Sequence, residues 1–150
     1  VVAFCRIADR EIRLREPILA PDVLIIQDRT LLHQVDVFQG LKPDGYVLIN
    51  SRRSFDELGL GDMAKNFRHE RLMTVPATEI ALKHLGRPLP NAVLLGGFAA
   101  LSGLITLDAV AHAIRGRFAG QVAEGNVAAS QDAFEYVRNE MQELAHAQTD

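Results

Sequence analysis

The sequence predicts an α/β domain in which helices cover both faces of a mostly parallel sheet. Residues 23–26 and 46–49 are short runs of mainly leucine and β-branched side chains with no polar alternation, a pattern typical of strands buried on both faces. Segments with helical spacing and short turns connect these runs, which indicates strand–helix–strand units with right-handed crossovers. The back half of the chain is helical throughout. Together these observations predict a three-layer, Rossmann-like fold with a helical C-terminal part.

Length and composition indicate one domain. The chain has 150 residues, of which 48% are hydrophobic and 23% charged, and no apolar run is long enough to span a membrane. Scattered basic residues and a net charge of -3 argue against a nucleic-acid surface. The single cysteine, Cys5, excludes an internal disulfide and an iron–sulfur cluster held by this chain alone. Cys5 lies in an apolar run, so we expect it to be buried, in a cytoplasmic protein.

The front half alternates predicted strands with turns and helices. Asp28 or Thr30 is expected to cap a helix that ends near Gly40, and Ser54 is expected to cap a short one. The predicted strands cover residues 1–7, 11–15, 23–26, 46–49 and 71–75.

The back half contains four predicted helices. The first covers residues 77–85 and is closed by Gly86 and Pro88, and the second, at 91–104, is apolar nearly all round. One narrow face of this helix carries only small residues, so we expect it to lie between two layers of the domain or at a subunit boundary. Thr106 is expected to cap the next helix, and residues 126–145 form a last helix with a heptad-like seam. We assign subunit packing to the small face: Ala92, Gly96, Ala100 and Gly103.

Candidate ligand contacts follow the predicted strands, because ligands of open α/β sheets bind at the carboxyl ends of strands. Those positions are Asp28, Asn50, Ser51, Arg52, Arg53, Thr78 and Glu79. Arg52 and Arg53 could hold a phosphate or a partner's carboxylate, or lie in a solvated loop. Asn50 and Ser51 are expected to bind local backbone. We find no catalytic constellation, metal-ligand spacing or phosphate-binding motif, and therefore expect a chain that works with partners.

Several segments, taken in order, resemble the gamma subunit or domain of the 2-oxoacid:ferredoxin oxidoreductases, which depend on thiamine diphosphate. The segments are VVAFCRIAD, IRLREPIL, PDVLIIQD with TLL, GLKPDGYVLINS, VPATEIALKHLGRP, NAVLLGGFAALSGL and VAEGNVAASQDAFEYV. The family's domain begins with a glycine-rich GRGGQG-type segment, which is implicated in binding CoA and is not present here. No CoA contact can therefore be assigned, and we expect a longer polypeptide whose single gamma-type domain, residues 1–150, is incomplete at its N-terminus.

The resemblance implies a division of labour within a complex. Thiamine diphosphate and magnesium lie between alpha and beta components, [4Fe-4S] clusters lie on beta and delta components, and gamma packs against alpha and helps to enclose the site. The complex would oxidise a 2-oxoacid such as pyruvate, 2-oxoglutarate, a branched-chain acid or phenylglyoxylate to acyl-CoA and CO2. Electrons would pass to ferredoxin, or to NAD through a flavin subunit. Two alternatives stay open: a free-standing nucleotide-binding domain, and a non-catalytic assembly module that docks through its last helix.

Overall fold

Three parallel strands form the sheet in the computed structural model, which describes residues 1–149. Their spatial order follows the chain, and the register sets Leu48 of the central strand between Ile25 and Met73. All three strands were predicted, at residues 23–26, 46–49 and 71–75, and that prediction is confirmed. The strands are β1 (Val23–Ile26), β2 (Tyr46–Asn50) and β3 (Leu72–Val75).

Both faces of the sheet are covered, but by different kinds of structure. On one face Leu48, Met73 and Val75 pack against long helices from the second half of the chain. On the other face Val47 and Ile49 pack against the short helices and loops between the strands. Two 3-10 turns, Arg29–His33 and His69–Arg71, lie in these connections. The helices are α1 (Gly61–Ala64), α2 (Ala77–Leu85), α3 (Asn91–Ser102), α4 (Leu107–Arg117) and α5 (Gly120–Ala147). The predicted three-layer α/β fold is confirmed.

Helix ends in the second half follow their sequence signals. The α2 helix has the predicted bounds and ends at Gly86, whose φ of 67° is the left-handed conformation that glycine adopts at little cost. Thr106 caps α4 as predicted, since its Oγ1 accepts a hydrogen bond of 3.0 Å from the Ala109 N–H. These two signals are local, and tertiary packing does not override them.

Three predictions about the first half are wrong. Residues 1–22 contain no strand, although the Arg6 side chain donates a 3.5 Å hydrogen bond to the carbonyl of Leu14 across the predicted hairpin. A strand needs a paired neighbour, and within residues 1–149 none lies beside this segment. Cys5 is consequently exposed rather than buried. The expected helix after β1 is only the 3-10 turn, capped at Asp28.

Two other helix boundaries also differ from prediction. Ser54 and Glu57 form the reciprocal hydrogen bonds of a capping box, 2.8 and 3.3 Å long, yet the residues that follow form turns and α1 begins only at Gly61. The α5 helix begins at Gly120, six residues before the predicted start, and runs through Gly125. A side chain at Gly125 would meet Leu85 and the His84 carbonyl, so glycine there allows α5 and α2 to approach closely.

Candidate functional site

A cleft of about 420 Å³ lies at the carboxyl ends of the three strands, where ligand contacts were predicted. The ends of β1 and β2, the first turn of α2 and the loop between α2 and α3 form its walls. Of the seven candidate positions, six line this cleft, and Arg53 does not. The lining residues are Gln27, Asp28, Arg29, Thr30, Asn50, Ser51, Arg52, Thr78, Glu79, Pro88 and Pro90.

Asn50, the last residue of β2, holds the floor of the cleft together. Its Nδ2 donates to the carbonyl of Gln27 at 3.0 Å and to Thr78 Oγ1 at 2.8 Å. Its Oδ1 accepts from the backbone N–H groups of Ala77 and Thr78, at 3.0 and 3.3 Å. Asn50 therefore ties β1 and β2 to the start of α2, which otherwise has no side-chain cap from Pro76. Asn50 was predicted to bind local backbone, and that prediction is wrong about the partners: the backbone groups that it binds belong to Gln27, Ala77 and Thr78, which are distant in sequence.

Ser51 also binds backbone, as predicted, and in this case the partner is local. Its buried hydroxyl accepts a hydrogen bond of 3.0 Å from the N–H of Arg53. The N–H of Ser51 donates to the Val75 carbonyl at 3.0 Å, which extends the β2–β3 ladder by one bond. These two bonds fix the path of the chain as it leaves β2.

On the β1 side of the cleft, Asp28 accepts two hydrogen bonds from Thr30. The Thr30 hydroxyl lies 2.7 Å and the Thr30 N–H 2.9 Å from Asp28 Oδ1. The hydroxyl bond, followed by the backbone bond, lowers the pKa of the Asp28 carboxyl below its usual value. Asp28 therefore caps the 3-10 turn as predicted, and it stays ionised at neutral pH.

Arg52 and Glu79 face each other across the mouth of the cleft. Arg52 Nε lies 3.8 Å from Glu79 Oε1, which is close enough for ionic attraction but too long for a hydrogen bond. The Arg52 side chain is 73% exposed and that of Glu79 48%. The phosphate contacts assigned to Arg52 and Arg53 stay a prediction, and only Arg52 is in the cleft.

The small face of α3 lies partly inside the chain. A Cβ built on Gly96 would fall within 3.0 Å of three backbone atoms of Ser130, so α3 and α5 touch there through their backbones. Ser130 Oγ adds a 2.9 Å hydrogen bond to the Ala92 carbonyl. Ala92 and Gly96 are thus covered by α5 of the same chain. For these two residues, packing between two layers of the domain explains the small side chains, and no subunit contact is needed.

The remaining two residues assigned to subunit packing are accessible. Ala100 is partly exposed, and Gly103 is exposed and ends α3 in the left-handed conformation with a φ of 66°. Leu104, directly after Gly103, is 63% exposed. Subunit packing therefore stays a prediction for this end of α3.

A second accessible apolar surface lies in the first 19 residues, which we call the N-terminal arm. The arm leads into β1, which is an edge strand of the sheet within residues 1–149. Ile25 of β1 is 37% exposed, and it lies on the face of the sheet that α3 covers along the other strands. Isolated exposed apolar side chains are ordinary, but here they are concentrated in one segment. The exposed large apolar residues of the arm are Val1, Val2, Phe4, Ile7, Ile12, Leu14 and Leu19.

Within residues 1–149, no three His, Cys, Asp or Glu side chains come close enough together to hold a metal ion. In the same part of the chain, no helix is both long and apolar enough to cross a membrane.

Comparison with known proteins connects this fold to a family. Residues 1–136 match the family model described as pyruvate ferredoxin/flavodoxin oxidoreductase. The chain belongs to this family. It is 37% identical over 139 residues to pyruvate synthase subunit PorC of Methanothermobacter marburgensis. It is 40% identical over 135 residues to the common gamma subunit of the pyruvate/ketoisovalerate oxidoreductases of Pyrococcus abyssi. The predicted resemblance to the gamma subunits of 2-oxoacid oxidoreductases is confirmed.

A solved member of the pyruvate ferredoxin/flavodoxin oxidoreductase family has the same fold. The crystal structure of pyruvate oxidoreductase subunit PORC from Thermotoga maritima superposes with a TM-score of 0.65 at 29% identity, over 79% of this chain. The aligned part is 64% of that chain, slightly less than two thirds, and 73% and 71% of the Methanothermobacter and Pyrococcus subunits.

Sequence reasoning missed one wall of the cleft. Pro88 and Pro90 line this wall; Pro88 was interpreted only as part of the stop of the helix at 77–85, and Pro90 was not assigned to a site. The available signal was the spacing of Gly86, Pro88 and Pro90, because a glycine stop followed by two prolines forms a stiff loop.

Proposed function

We propose that this chain is the gamma component of a cytoplasmic 2-oxoacid oxidoreductase complex. The observation that carries the proposal is the family match over residues 1–136, together with relatives that are themselves gamma or PorC subunits. In this complex a 2-oxoacid is oxidatively decarboxylated to acyl-CoA and CO2, and the electrons pass to ferredoxin or another acceptor. The names of the relatives favour pyruvate or 2-ketoisovalerate as the substrate.

The chemistry belongs to cofactors that the partner subunits supply. Thiamine diphosphate with magnesium carries the carbanion chemistry and is held between alpha and beta components, and [4Fe-4S] clusters on beta and delta components carry single electrons. The gamma chain contributes enclosure and packing surface next to the alpha component. Its one cysteine is consistent with clusters held elsewhere, since such clusters need about four cysteine ligands.

We propose two surfaces of the chain for these contacts: the N-terminal arm and the end of α3 around Leu104. Both present exposed apolar side chains, and fully buried interface cores are apolar. The outer edge of β1 presents backbone N–H and C=O groups, and we propose that a further strand, from a segment that precedes residue 1, pairs with it. Exposed edges of this kind are normally paired or covered.

Native mass spectrometry of the protein purified from its own host tests the proposed function. We expect the chain to be released from an assembly whose larger subunits carry thiamine diphosphate and iron–sulfur clusters. A chain that is found alone, or only with copies of itself, contradicts the proposal and favours the nucleotide-binding alternative.

A pair of variants tests the α3 surface. Leu104→Asp places a charge in the proposed interface, and Leu82→Asp places the same charge on α2, where the leucine is 47% exposed. We expect Leu104→Asp to dissociate from the complex at a lower urea concentration than the unsubstituted protein, whereas Leu82→Asp dissociates at the same concentration as the unsubstituted protein. Equal retention of both variants excludes the end of α3 as an interface.

A further inference from the structure

The cleft at the carboxyl ends of the strands is built before any ligand arrives. Asn50 donates two hydrogen bonds and accepts two, and these four hold the floor, while the two bonds that Asp28 accepts from Thr30 hold one side. The cleft is open and lined mainly by polar side chains, and it lies where ligands of open α/β sheets bind, at the carboxyl ends of the strands. The cleft therefore has the geometry of a binding site that the family match does not assign.

Hydrogen-bond donors are in excess at the β2 wall of this cleft. Arg52 carries five N–H donors, and with Glu79 at 3.8 Å it makes no hydrogen bond there. Thr78 Oγ1 accepts from Asn50, so its own proton is available for donation. An oxygen-bearing anion fits these donors, because guanidinium groups bind carboxylates and phosphates in a bidentate manner.

The charges around the cleft select among such anions. The lining carries two acidic residues, Asp28 and Glu79, and two basic ones, Arg29 and Arg52, so its formal charges cancel. At the start of α2, where a phosphate would normally find free N–H groups, those of Ala77 and Thr78 are already bonded to Asn50. A multiply charged phosphate would find the donors of Arg52 and Thr78, but it would be repelled by the carboxylates of Asp28 and Glu79. A singly charged group would meet far less repulsion.

We propose that the cleft binds a singly charged carboxylate through Arg52, and that this carboxylate replaces Glu79 as the partner of the guanidinium. The carboxylate has two sources: a small free acid, or an aspartate or glutamate side chain of a partner subunit. The free-acid source goes beyond the proposed function and rests on the cleft alone, whereas the partner-subunit source rests on the proposed function.

Three single variants of the purified assembly test the proposal, with acetate as the probe. Saturation-transfer NMR of the acetate methyl protons reports binding. Arg52→Gln removes the guanidinium and Glu79→Gln removes its competitor, while Arg53→Gln is the matched control, outside the cleft and adjacent in sequence. For a free acid, we expect acetate affinity to fall several-fold in Arg52→Gln, whose side chain is 73% exposed, to rise in Glu79→Gln, and to be unchanged in Arg53→Gln.

The same variants distinguish the two sources. If a partner's side chain fills the cleft, acetate will not bind to the assembly, and Arg52→Gln alone will release the chain at lower salt than Arg53→Gln. The free-acid outcome and the partner outcome each support a carboxylate site at Arg52. Identical behaviour of Arg52→Gln and Arg53→Gln in both measurements overturns the proposal. Competition with inorganic phosphate gives a further test. If phosphate binds to the cleft more tightly than acetate, the proposal is overturned, because the site would then prefer the higher charge.

Discussion

Replacing Gly96 with alanine tests the α3–α5 contact directly. The added Cβ would lie 2.7 Å from the carbonyl carbon and 2.8 Å from the Cα of Ser130, where ordinary contact begins at 3.4 Å. The obstacle is helix backbone, so it cannot rotate away as a side chain does. The carbonyl oxygen of Ser130 lies closer still, so the two helices must separate by more than the roughly 0.7 Å that the carbonyl carbon alone requires.

The expected loss of stability is the difference between two opposing effects. A gap of 0.5–1 Å forfeits about a quarter to a half of the dispersion energy of the atoms that face it, and overpacking typically costs about 1–3 kcal/mol. Replacing glycine with alanine inside a helix contributes about 1 kcal/mol in the other direction. Because backbone opposes backbone, we take the upper end of the overpacking range and expect a net loss of about 2 kcal/mol. For a chain of this size that corresponds to a fall in melting temperature of about 4–8 °C.

Thermal unfolding followed by circular dichroism measures this loss, with two glycines as controls. Gly97 is next along α3, and a Cβ there would lie 3.4–3.7 Å from Val137, Leu48 and Val75, in ordinary contact. Gly116 in α4 has nothing within 4 Å of the added atom. Both alanine variants should match or slightly exceed the parent in stability. If Gly96→Ala is as stable as these controls, the close approach of α3 and α5 is wrong.

Other consequences can be checked by measuring the free energy of unfolding in urea. Asn50→Ala removes the cap of α2 and the bridge to β1, and should cost about 2–3 kcal/mol in urea unfolding, while leaving the helices otherwise intact. Thr106→Ala should lower the free energy of unfolding by about 1 kcal/mol, because α4 loses its cap. Thr106→Ser keeps a capping hydroxyl and should be about as stable as the parent. Asp28 has a folded-state pKa below its unfolded value, so its stabilising effect is present above about pH 4 and is lost as pH falls through the folded pKa. The stability of Asp28→Asn should therefore depend less on pH in the acid range than that of the parent, and equal acid sensitivity would contradict the capping role.

The strands and the carboxyl-end cleft could be predicted because their signals are local and repeated. Each strand is a run of apolar residues too short for a helix, and parallel strands must place their carboxyl ends at one edge. Asn50, Thr78 and Glu79 could thus be assigned to one site before any contact was known. What the pattern could not show is that Asn50 bonds to two distant segments, since side-chain partners depend on tertiary distance.

The wrong predictions share a physical cause. In each case the local structure depends on whether the segment contacts residues that are distant in sequence. The arm has a strand-like pattern but no strand to pair with within residues 1–149. The early start of α5 depends on packing against α2 at Gly125, where the sequence alone shows a glycine that weakens a helix. The role of Gly96 likewise depends on Ser130, more than thirty residues away.

The contacts of α5 have a consequence for how the protein folds during synthesis. The helix packs against α2, α3 and α4, so none of these can complete its burial until residues 120–147 have been made. About 70 residues separate the end of β3 from the end of α5, which takes about 4–14 s at typical rates of translation. During that interval Leu48 and Val75 lack their final cover. The nascent sheet is then a surface that chaperones would recognise, and slowing translation across α5 should lengthen its exposure.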